Sequence, residues 1–368
     1  MVSILKSKMK KVTDNYFHQS SNNMNKIVKK IKISKPSSIL LVGCGRVGNR
    51  LVKEIFENID DENIKIYITD VVKDRASDLS EHFKGRPVPI KWKNAKDTPD
   101  DIDLIIVCVD GDSEKKIIDR IVLSKKSFIT LSDDNSVIKQ YLKHQDTFKE
   151  NNIKVILGLG LFPGIGNAVA EHISVDFDQV FDITVERLGF VSNSSLSSIK
   201  KARRDSPLGL RDTVLTESRK KNSKAYSWFP KPYGLLETQP VAVGVTELVQ
   251  QFPNARNVSV RYSEPKLPTF KDRVRHLILR EQLTSKNACI KVQVYGSIDS
   301  EIVSKTVCVK GDALNMVSIT VLDVLYCILE DVSDETGIVL CSKYINPKQL
   351  FSQLHERGIN LYDFDTSK

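Results

Sequence analysis

The chain has 368 residues, of which 40% are hydrophobic and 27% are charged, and this predicts a globular protein with two domains. Its formal net charge is +9, but residues 1–35 contain nine lysines and one acidic residue and so carry eight of those charges. A basic segment on a nearly neutral body argues against a nucleic-acid-binding domain, and we expect residues 1–35 to be a disordered tail.

The sequence also argues against membrane insertion and secretion. It contains no run of about 18 consecutive apolar residues, and its first residues lack the apolar core of a signal peptide. The six cysteines show no CxxC pair or metal-ligand spacing, and most lie inside apolar runs, as buried thiols do in reducing compartments. We therefore expect a cytoplasmic protein without a metal site.

The first predicted strand, residues 39–42, leads into a glycine-rich loop and then into a helix. The loop has the pattern Gly43-x-Gly45-x-x-Gly48. Gly43 suits a tight turn, Gly45 lets the backbone approach a pyrophosphate, and Gly48 lets the helix pack closely on the strand. Such a loop at a helix N-terminus is typical of dinucleotide binding, although a structural turn without ligand is the alternative. The predicted contact residues are Gly43, Cys44, Gly45, Arg46, Val47 and Gly48.

The second predicted strand ends at Asp70, which lies 22 residues beyond Gly48. An acidic residue near that distance binds the ribose hydroxyls of an adenine dinucleotide. Because its charge would repel a ribose phosphate, Asp70 favours NAD over NADP. Lys73 and Arg75 follow closely and could bind that phosphate, so NADP stays open.

Strands and helices alternate from Pro36 to about Gly160, which predicts a Rossmann-type parallel sheet with right-handed crossovers. The predicted strands include 103–109, 127–131 and 155–157, and the predicted helices include 73–83 and 137–151. Because ligands bind at the carboxyl ends of such strands, we expect Asp110 and residues 132–134 beside the glycine loop.

The second half predicts a different domain. Residues 180–187, 288–295 and 302–309 alternate apolar and polar residues, as half-exposed strands do, and 296–299 predicts a hairpin turn. We expect an α+β domain with a mostly antiparallel sheet, suited to substrate binding and to a homodimer. Predicted helices 313–330 and 347–357 flank a short strand, 337–341.

A Pro-Gly turn follows the last strand of the first domain. Pro163 fixes the approach of the chain, and Gly164 permits an unusual backbone angle before a helix. With the Gly-x-Leu-Glu segment that ends at Glu237, the Arg-Tyr strand 258–262 and the terminal segment 347–358, this turn resembles the saccharopine dehydrogenase-like family.

The resemblance implies hydride exchange between a nicotinamide cofactor and a C–N bond of a small amino-acid or polyamine-type substrate. It also implies a nucleotide domain at 36–160, a substrate-binding or dimerisation domain at 161–310, and a segment 311–368 that packs back on the nucleotide domain. Pro163 and Gly164 would lie beside the nicotinamide. Family members that act on saccharopine carry Asp before the Pro-Gly pair, where this chain has Phe162, so saccharopine itself is not implied.

The substrate nitrogen carries positive charge during such a reaction, and carboxylates can stabilise it. Asp133 and Asp134 follow the predicted strand 127–131 and are candidate catalytic residues, with helix capping by Asp134 as the alternative. Glu237 is a third candidate, with a structural hydrogen-bond acceptor as its alternative.

Arginine suits a substrate carboxylate because its guanidinium binds carboxylates in bidentate fashion. We prefer Arg211 as this carboxylate-binding residue. The arginines available in the second half are Arg187, Arg203, Arg204, Arg211 and Arg261.

Two other classes of function fit the same glycine loop. A regulatory module could bind NAD(H) without catalysis, and a structural protein could use the loop for packing alone. Polar side chains that converge near the nicotinamide would favour the enzyme, whereas an apolar or absent pocket there would favour the regulatory module.

Overall fold

The computed structural model describes residues 37–59, 64–72, 74–189, 208–217, 224–263, 287–330 and 334–365. The expectations for residues 1–35 and for Lys73, Arg203 and Arg204 lie outside these ranges. Within them, every helix is too short or too polar to cross a membrane.

The first sheet is parallel and has seven strands, as predicted for the Rossmann-type domain. Six of them come from the first half of the chain, in the spatial order β6-β5-β4-β1-β2-β3. They are β1 (Ser37–Val42), β2 (Ile64–Thr69), β3 (Val88–Pro89), β4 (Leu104–Val107), β5 (Ser127–Thr130) and β6 (Lys154–Ile156). All residues of β1 and β4 are buried, because helices cover both faces of the sheet.

Short helices connect these strands. They are α1 (Arg46–Asn58), α2 (Arg75–His82), α3 (Gly111–Lys115), α4 (Ile118–Leu123), α5 (Asn135–Leu142) and α6 (Gln145–Glu150). The single helix predicted at 137–151 is thus wrong, since the chain forms two helices there. Tyr141 on α5 and Phe148 on α6 both pack against Phe128, with ring centroids 4.9 and 5.6 Å from its ring.

The second sheet is mostly antiparallel, which confirms the predicted fold class. Its strands include β7 (Gln179–Leu188), β8 (Leu208–Arg211), β9 (Val214–Glu217), β10 (Ala225–Phe229), β11 (Gly234–Pro240), β12 (Asn257–Ser263), β13 (Asn287–Ile298) and β14 (Glu301–Asp312). The main order is β10-β11-β12-β7-β13-β14, and β12 pairs with β7 in parallel. The β8–β9 hairpin joins the sheet through β12.

The hairpin between β13 and β14 turns later than predicted. Its turn residues are Asp299 and Ser300, with φ values of 50° and 68°, and the predicted turn at 296–299 is wrong. Gly296 lies inside β13, where a Cβ atom would be 2.1 Å from the carbonyl oxygen of Gln179. Glycine is therefore needed there for close strand packing, and it does not mark the turn.

The C-terminal region contributes to both sheets. After α7 (Ile165–Ser174), α8 (Val245–Gln251) and α9 (Ala313–Leu329), strand β15 (Gly337–Val339) pairs in parallel with β6. Helix α10 (Pro347–Glu356) follows, and β16 (Asn360–Asp365) then pairs with β14. Helices α7 and α9 lie within one apolar core that joins the two sheets.

Candidate functional site

A cleft of about 280 Å³ lies at the carboxyl ends of the first sheet and extends to the second sheet. Its wall comes from the glycine loop, from the segments after β2, β4, β5 and β6, and from β7 and α9. The lining residues from these elements are Gly43, Gly45, Arg46, Val47, Asp70, Val71, Val72, Arg75, Cys108, Val109, Asp110, Gly111, Ser113, Leu131, Asp133, Gly158, Gly160, Leu161, Phe162, Arg187 and Val317. The topology thus brings the predicted loop and the strand ends to one edge.

The glycine loop has the close packing and the open space that a dinucleotide needs. A Cβ atom on Gly48 would be 2.0 Å from the carbonyl oxygen of Gly43, so this glycine lets α1 pack against the loop. A Cβ atom on Gly45 would meet nothing within 4 Å, because that position faces the cleft. Helix α1 starts at Arg46 without a side-chain cap and without an acidic residue in its first turn, and such a helix N-terminus suits a phosphate.

Asp70 is held rigidly beside this loop. One carboxylate oxygen accepts a hydrogen bond from the backbone N–H of Cys44, and the other accepts one from Val72, both at 2.7 Å. Only 5% of the Asp70 side chain is exposed, and Nη1 of Arg75 lies 3.9 Å from its carboxylate. The carboxylate therefore lines the cleft in a fixed orientation at the end of β2.

Four of the predicted cofactor-binding residues lie behind the cleft wall. Burial raises the pKa of the Cys44 thiol to about 12, and this residue contributes its backbone N–H to Asp70. Gly48 packs under the loop, as described above. Pro163 and Gly164 are also buried, and a Cβ on Gly164 would be 2.3 Å from the carbonyl oxygen of Gly160. The Pro-Gly turn therefore shapes the segment 158–162, which does line the cleft.

Asp110 lines the cleft and also caps α3. Its carboxylate accepts hydrogen bonds from the backbone N–H of Ser113 at 3.0 Å and from the Ser113 hydroxyl at 2.8 Å. Burial alone would raise the pKa of the Asp110 carboxyl, but these hydrogen bonds hold it below its usual value. Asp110 is therefore a fixed negative charge on the cleft wall.

An ion pair joins the two sheets at the other end of the cleft. Oδ2 of Asp133, after β5, lies 2.9 Å from Nη1 of Arg187 on β7, and their side chains are 13% and 7% exposed. Nε of Arg187 is buried and has no hydrogen-bond partner among the described residues. The sequence shows both residues as candidates, but it does not show that they meet.

Three predicted site residues lie outside the lining of the cleft. Asp134 caps α5 by accepting a hydrogen bond from the backbone N–H of Ser136 at 2.8 Å. Glu237 on β11 contacts Lys224 at 3.1 Å, and Arg211 is an exposed residue at the end of β8. Their positions do not support direct contact with a ligand in the cleft.

In the described part of the chain, no group of three or more His, Cys, Asp or Glu side chains could hold a metal ion. Among the described residues, six charged groups line the cleft. They are Arg46, Asp70, Arg75, Asp110, Asp133 and Arg187.

No family model and no curated protein matches the sequence. The fold is nevertheless similar to that of solved dehydrogenase structures over almost the whole chain. Apo saccharopine dehydrogenase (L-Glu forming) from Saccharomyces cerevisiae matches with a TM-score of 0.66 and 11% identity, over 90% of this chain and 100% of that chain. Homospermidine synthase from Legionella pneumophila, solved in complex with NAD, matches with a TM-score of 0.60 and 12% identity, over 92% and 93%. At such identities the likeness shows a shared fold.

Proposed function

We propose that this protein is a nicotinamide-dependent oxidoreductase that acts on a C–N bond of a small amino-acid or polyamine-type substrate. The observation that carries the proposal is the open space above Gly45, which lies between the N-terminus of α1 and the fixed carboxylate of Asp70. The shared fold with saccharopine dehydrogenase and homospermidine synthase supports the same reaction class.

The cleft residues fit a dinucleotide, and we propose NAD. The N-terminus of α1 would hold the diphosphate, with Gly45 giving the space for it. Asp70 would accept hydrogen bonds from the hydroxyls of the adenosine ribose. Because two backbone N–H groups hold the Asp70 carboxylate in the cleft, a phosphate on that ribose would meet its negative charge. Arg75 could attract such a phosphate, but its side chain is exposed to solvent, so it offsets the preference for NAD only weakly.

The nicotinamide would lie at the opposite end of the cleft from Asp70, since dinucleotides cross such a sheet at the switch between β1 and β4. When bound, the cofactor supplies a hydride donor or acceptor at that end. Asp133 is the carboxylate there that can contact a positively charged substrate nitrogen, and Arg187 holds it in place. Leu131, Phe162 and Val317 also line the cleft, and their apolar side chains would limit the entry of water.

This pair of charged side chains also bears on the regulatory alternative. A module that only senses NAD(H) needs no converging polar groups near the nicotinamide. Asp133 and Arg187 meet at the end of the cleft where we place the nicotinamide, and this supports the enzyme over the regulatory module.

The proposal is tested on the full chain in two steps. Titration with NADH, monitored by nicotinamide fluorescence, should show saturable binding. NADH should also be oxidised when a carbonyl compound and an amine are added together. Asp133→Asn should lower kcat about 100-fold, the usual scale for loss of a catalytic charge, with the Kd for NADH unchanged. Asp146→Asn, at an exposed position on α6, is the control. Failure to bind NADH would rule out the function, and binding without any turnover would favour the regulatory module.

A further inference from the structure

A fully buried carboxyl group, that of Glu114 on α3, lies behind the wall of the cleft. Its Oε1 accepts a hydrogen bond from the hydroxyl of Tyr141 at 2.9 Å, whereas Oε2 has no hydrogen-bond partner among the described residues. A buried carboxylate needs several donors to compensate for the water that it loses, and a single hydroxyl does not meet this need. The surroundings of Glu114 therefore favour its neutral form.

The charged groups around Glu114 do not favour its ionisation either. Lys115 on the same helix has its Nζ 3.7 Å from Asp134 and 3.1 Å from Asp112, and Glu114 has no ion pair in the described ranges. Burial raises the pKa of the Glu114 carboxyl to about 7, and the charges of Asp134 and Asp110 contribute to the rise. Glu114 therefore changes its charge near neutral pH.

Glu114 is connected to the lining of the cleft through the first turn of α3. Its backbone N–H donates to the carbonyl oxygen of Asp110 at 2.8 Å, and Asp110 and Gly111 both line the cleft. A Cβ atom on Gly111 would lie 2.8 Å from the side chain of Asp134, so this turn is tightly packed. Cys108 also lines the cleft, and burial and the charge of Glu114 both raise the pKa of its thiol. A charge on Glu114 therefore acts on this part of the wall.

The proposed cofactor crosses the same part of the wall, because dinucleotides bind over the switch between β1 and β4. The diphosphate of a dinucleotide is an anion. When Glu114 is ionised, it adds a third carboxylate to Asp110 and Asp134, in a buried place where charges are poorly screened. The added charge repels the diphosphate, and protonation of Glu114 removes this repulsion.

We propose that Glu114 makes cofactor binding depend on pH. The dinucleotide binds more tightly when Glu114 is protonated, and its binding leads to the uptake of a proton at this carboxyl. The inference rests on the proposed function, which places the dinucleotide in the cleft. Glu114 does not touch the cofactor, and it acts through the charge that it adds behind α3. By linkage, the ratio of the two cofactor affinities equals the increase in the proton affinity of Glu114 in the complex.

The first test measures the Kd for NADH on the full chain at pH 6 and at pH 8.5, by nicotinamide fluorescence. We expect the Kd to rise at least about threefold between these pH values, since one buried charge changes binding on this scale. Glu114→Gln should keep the tighter affinity at both values, because glutamine stays neutral and has the same shape. Glu81→Gln, at an exposed position on α2, is the control and should keep the rise.

Proton uptake gives a second measurement, which a merely structural role of Glu114 would not change. Calorimetric titration at pH 7, in two buffers of different ionisation enthalpy, should show uptake of about 0.3 proton per NADH, as a threefold change in affinity implies. Glu114→Gln should show no uptake.

Tyr141→Phe tests the same group from its hydrogen-bond partner. This variant keeps the ring beside Phe128 but removes the hydroxyl that stabilises the ionised form of Glu114. The midpoint of the pH dependence of NADH binding should therefore move up by about one pH unit. The melting temperature of each variant shows whether it is folded.

An NADH affinity that is equal at the two pH values, or higher at pH 8.5, overturns the inference. A rise in Kd that persists in a folded Glu114→Gln protein also overturns it, because another group would then bind the proton. Absence of proton uptake by the unaltered chain has the same meaning and does not depend on any variant. In these cases the proposed function stands, since NADH still binds. Absence of NADH binding at both pH values removes the proposed function itself, and the inference with it.

Discussion

The carboxylate of Asp70 accepts a 2.7 Å hydrogen bond from the backbone N–H of Cys44, and this bond ties the end of β2 to the glycine loop. The proposed ribose contact and the proposed phosphate contact are therefore positioned together. A second bond, from the backbone N–H of Val72, fixes the other oxygen of the same carboxylate. Few rotamers of Asp70 remain once both bonds are made.

Asp70→Ser should shift the cofactor preference. We expect the Kd for NADH to rise at least about tenfold, because hydrogen bonds from the ribose to a charged acceptor are lost. The Kd for NADPH should fall or stay unchanged, since the charge that repels a ribose phosphate is gone and Arg75 remains nearby. Fluorescence titrations with both cofactors measure this, and Asp78→Ser, exposed on α2, is the control. An unchanged preference would show that Asp70 does not contact the ribose.

Two alanine substitutions in the glycine loop should separate binding from stability. Gly45 has a φ of −73°, and nothing lies within 4 Å of a Cβ atom there, so Gly45→Ala should change the unfolding free energy by less than about 1 kcal/mol. The added methyl group would occupy the proposed diphosphate space, and NADH binding should weaken at least about tenfold. Normal NADH affinity in this variant would contradict the proposed cofactor position.

Gly48→Ala, unlike Gly45→Ala, should destabilise the folded protein. Its Cβ atom would lie 2.0 Å from the carbonyl oxygen of Gly43, so the loop or α1 must move. We expect a loss of about 1–3 kcal/mol in unfolding free energy, the usual cost of overpacking, as measured by urea denaturation. A Gly48→Ala variant that is as stable as the unaltered protein would show that α1 and the glycine loop have room for a methyl group at this position.

A buried carboxylate connects α1 to the end of the chain. Glu54 is fully buried and lies between Arg50, 2.7 Å away, and Arg357, which follows α10. Arg357→Met should lower the unfolding free energy by about 1–3 kcal/mol, because it leaves a buried charge with one partner fewer. Lys53→Met removes an exposed pair with Glu57 and should cost less than about 0.5 kcal/mol. Equal losses in the two variants would contradict a special role for Glu54.

Stability should depend on pH through Glu114. Burial raises the pKa of this carboxyl to about 7, and its Oε1 accepts a hydrogen bond from the hydroxyl of Tyr141 at 2.9 Å. The folded protein thus binds this proton more tightly than the unfolded chain does. The stability that Glu114 contributes is complete below its unfolded pKa and is lost as the pH rises towards 7.

Glu114→Gln should remove this loss, because glutamine stays neutral and of the same shape. Between pH 4.5 and 8, the variant should gain on the order of 3 kcal/mol relative to the unaltered protein, from the 1.36 kcal/mol that corresponds to each pKa unit. Urea denaturation at the two pH values measures the gain, with the exposed Glu81→Gln as the control. A constant difference between the two proteins would show that the Glu114 carboxyl titrates alike in the folded and unfolded states.

The sequence was most informative where local backbone geometry determines the structure. The pattern Gly43-x-Gly45-x-x-Gly48 and the position of Asp70 predicted the first half of the cleft. Gly43 and Gly48 lie where a Cβ atom would clash with neighbouring atoms, and Gly45 faces open space. The predicted α+β second domain followed from strand alternation in the same way. The terminal turn of the β13–β14 hairpin was misplaced because Gly296 serves packing against β7.

The substrate end of the cleft could not be predicted in the same way. Asp133 and Arg187 are 54 residues apart; Asp133 follows β5 of the first sheet and Arg187 lies on β7 of the second, so their contact depends on how the two sheets pack. Arg211 and Glu237 have equally suitable chemistry, but the fold directs them away from the cleft lining. Domain limits, the homodimer and the cytoplasmic location stay predictions.

The late pairing of β15 with β6 has a consequence for synthesis on the ribosome. The edge of β6 remains uncovered until Val339 has emerged, although most of the first sheet is complete more than 180 residues earlier. An exposed strand edge invites pairing with other chains. A nascent chain halted between the two strands should therefore aggregate more readily than one released after β15.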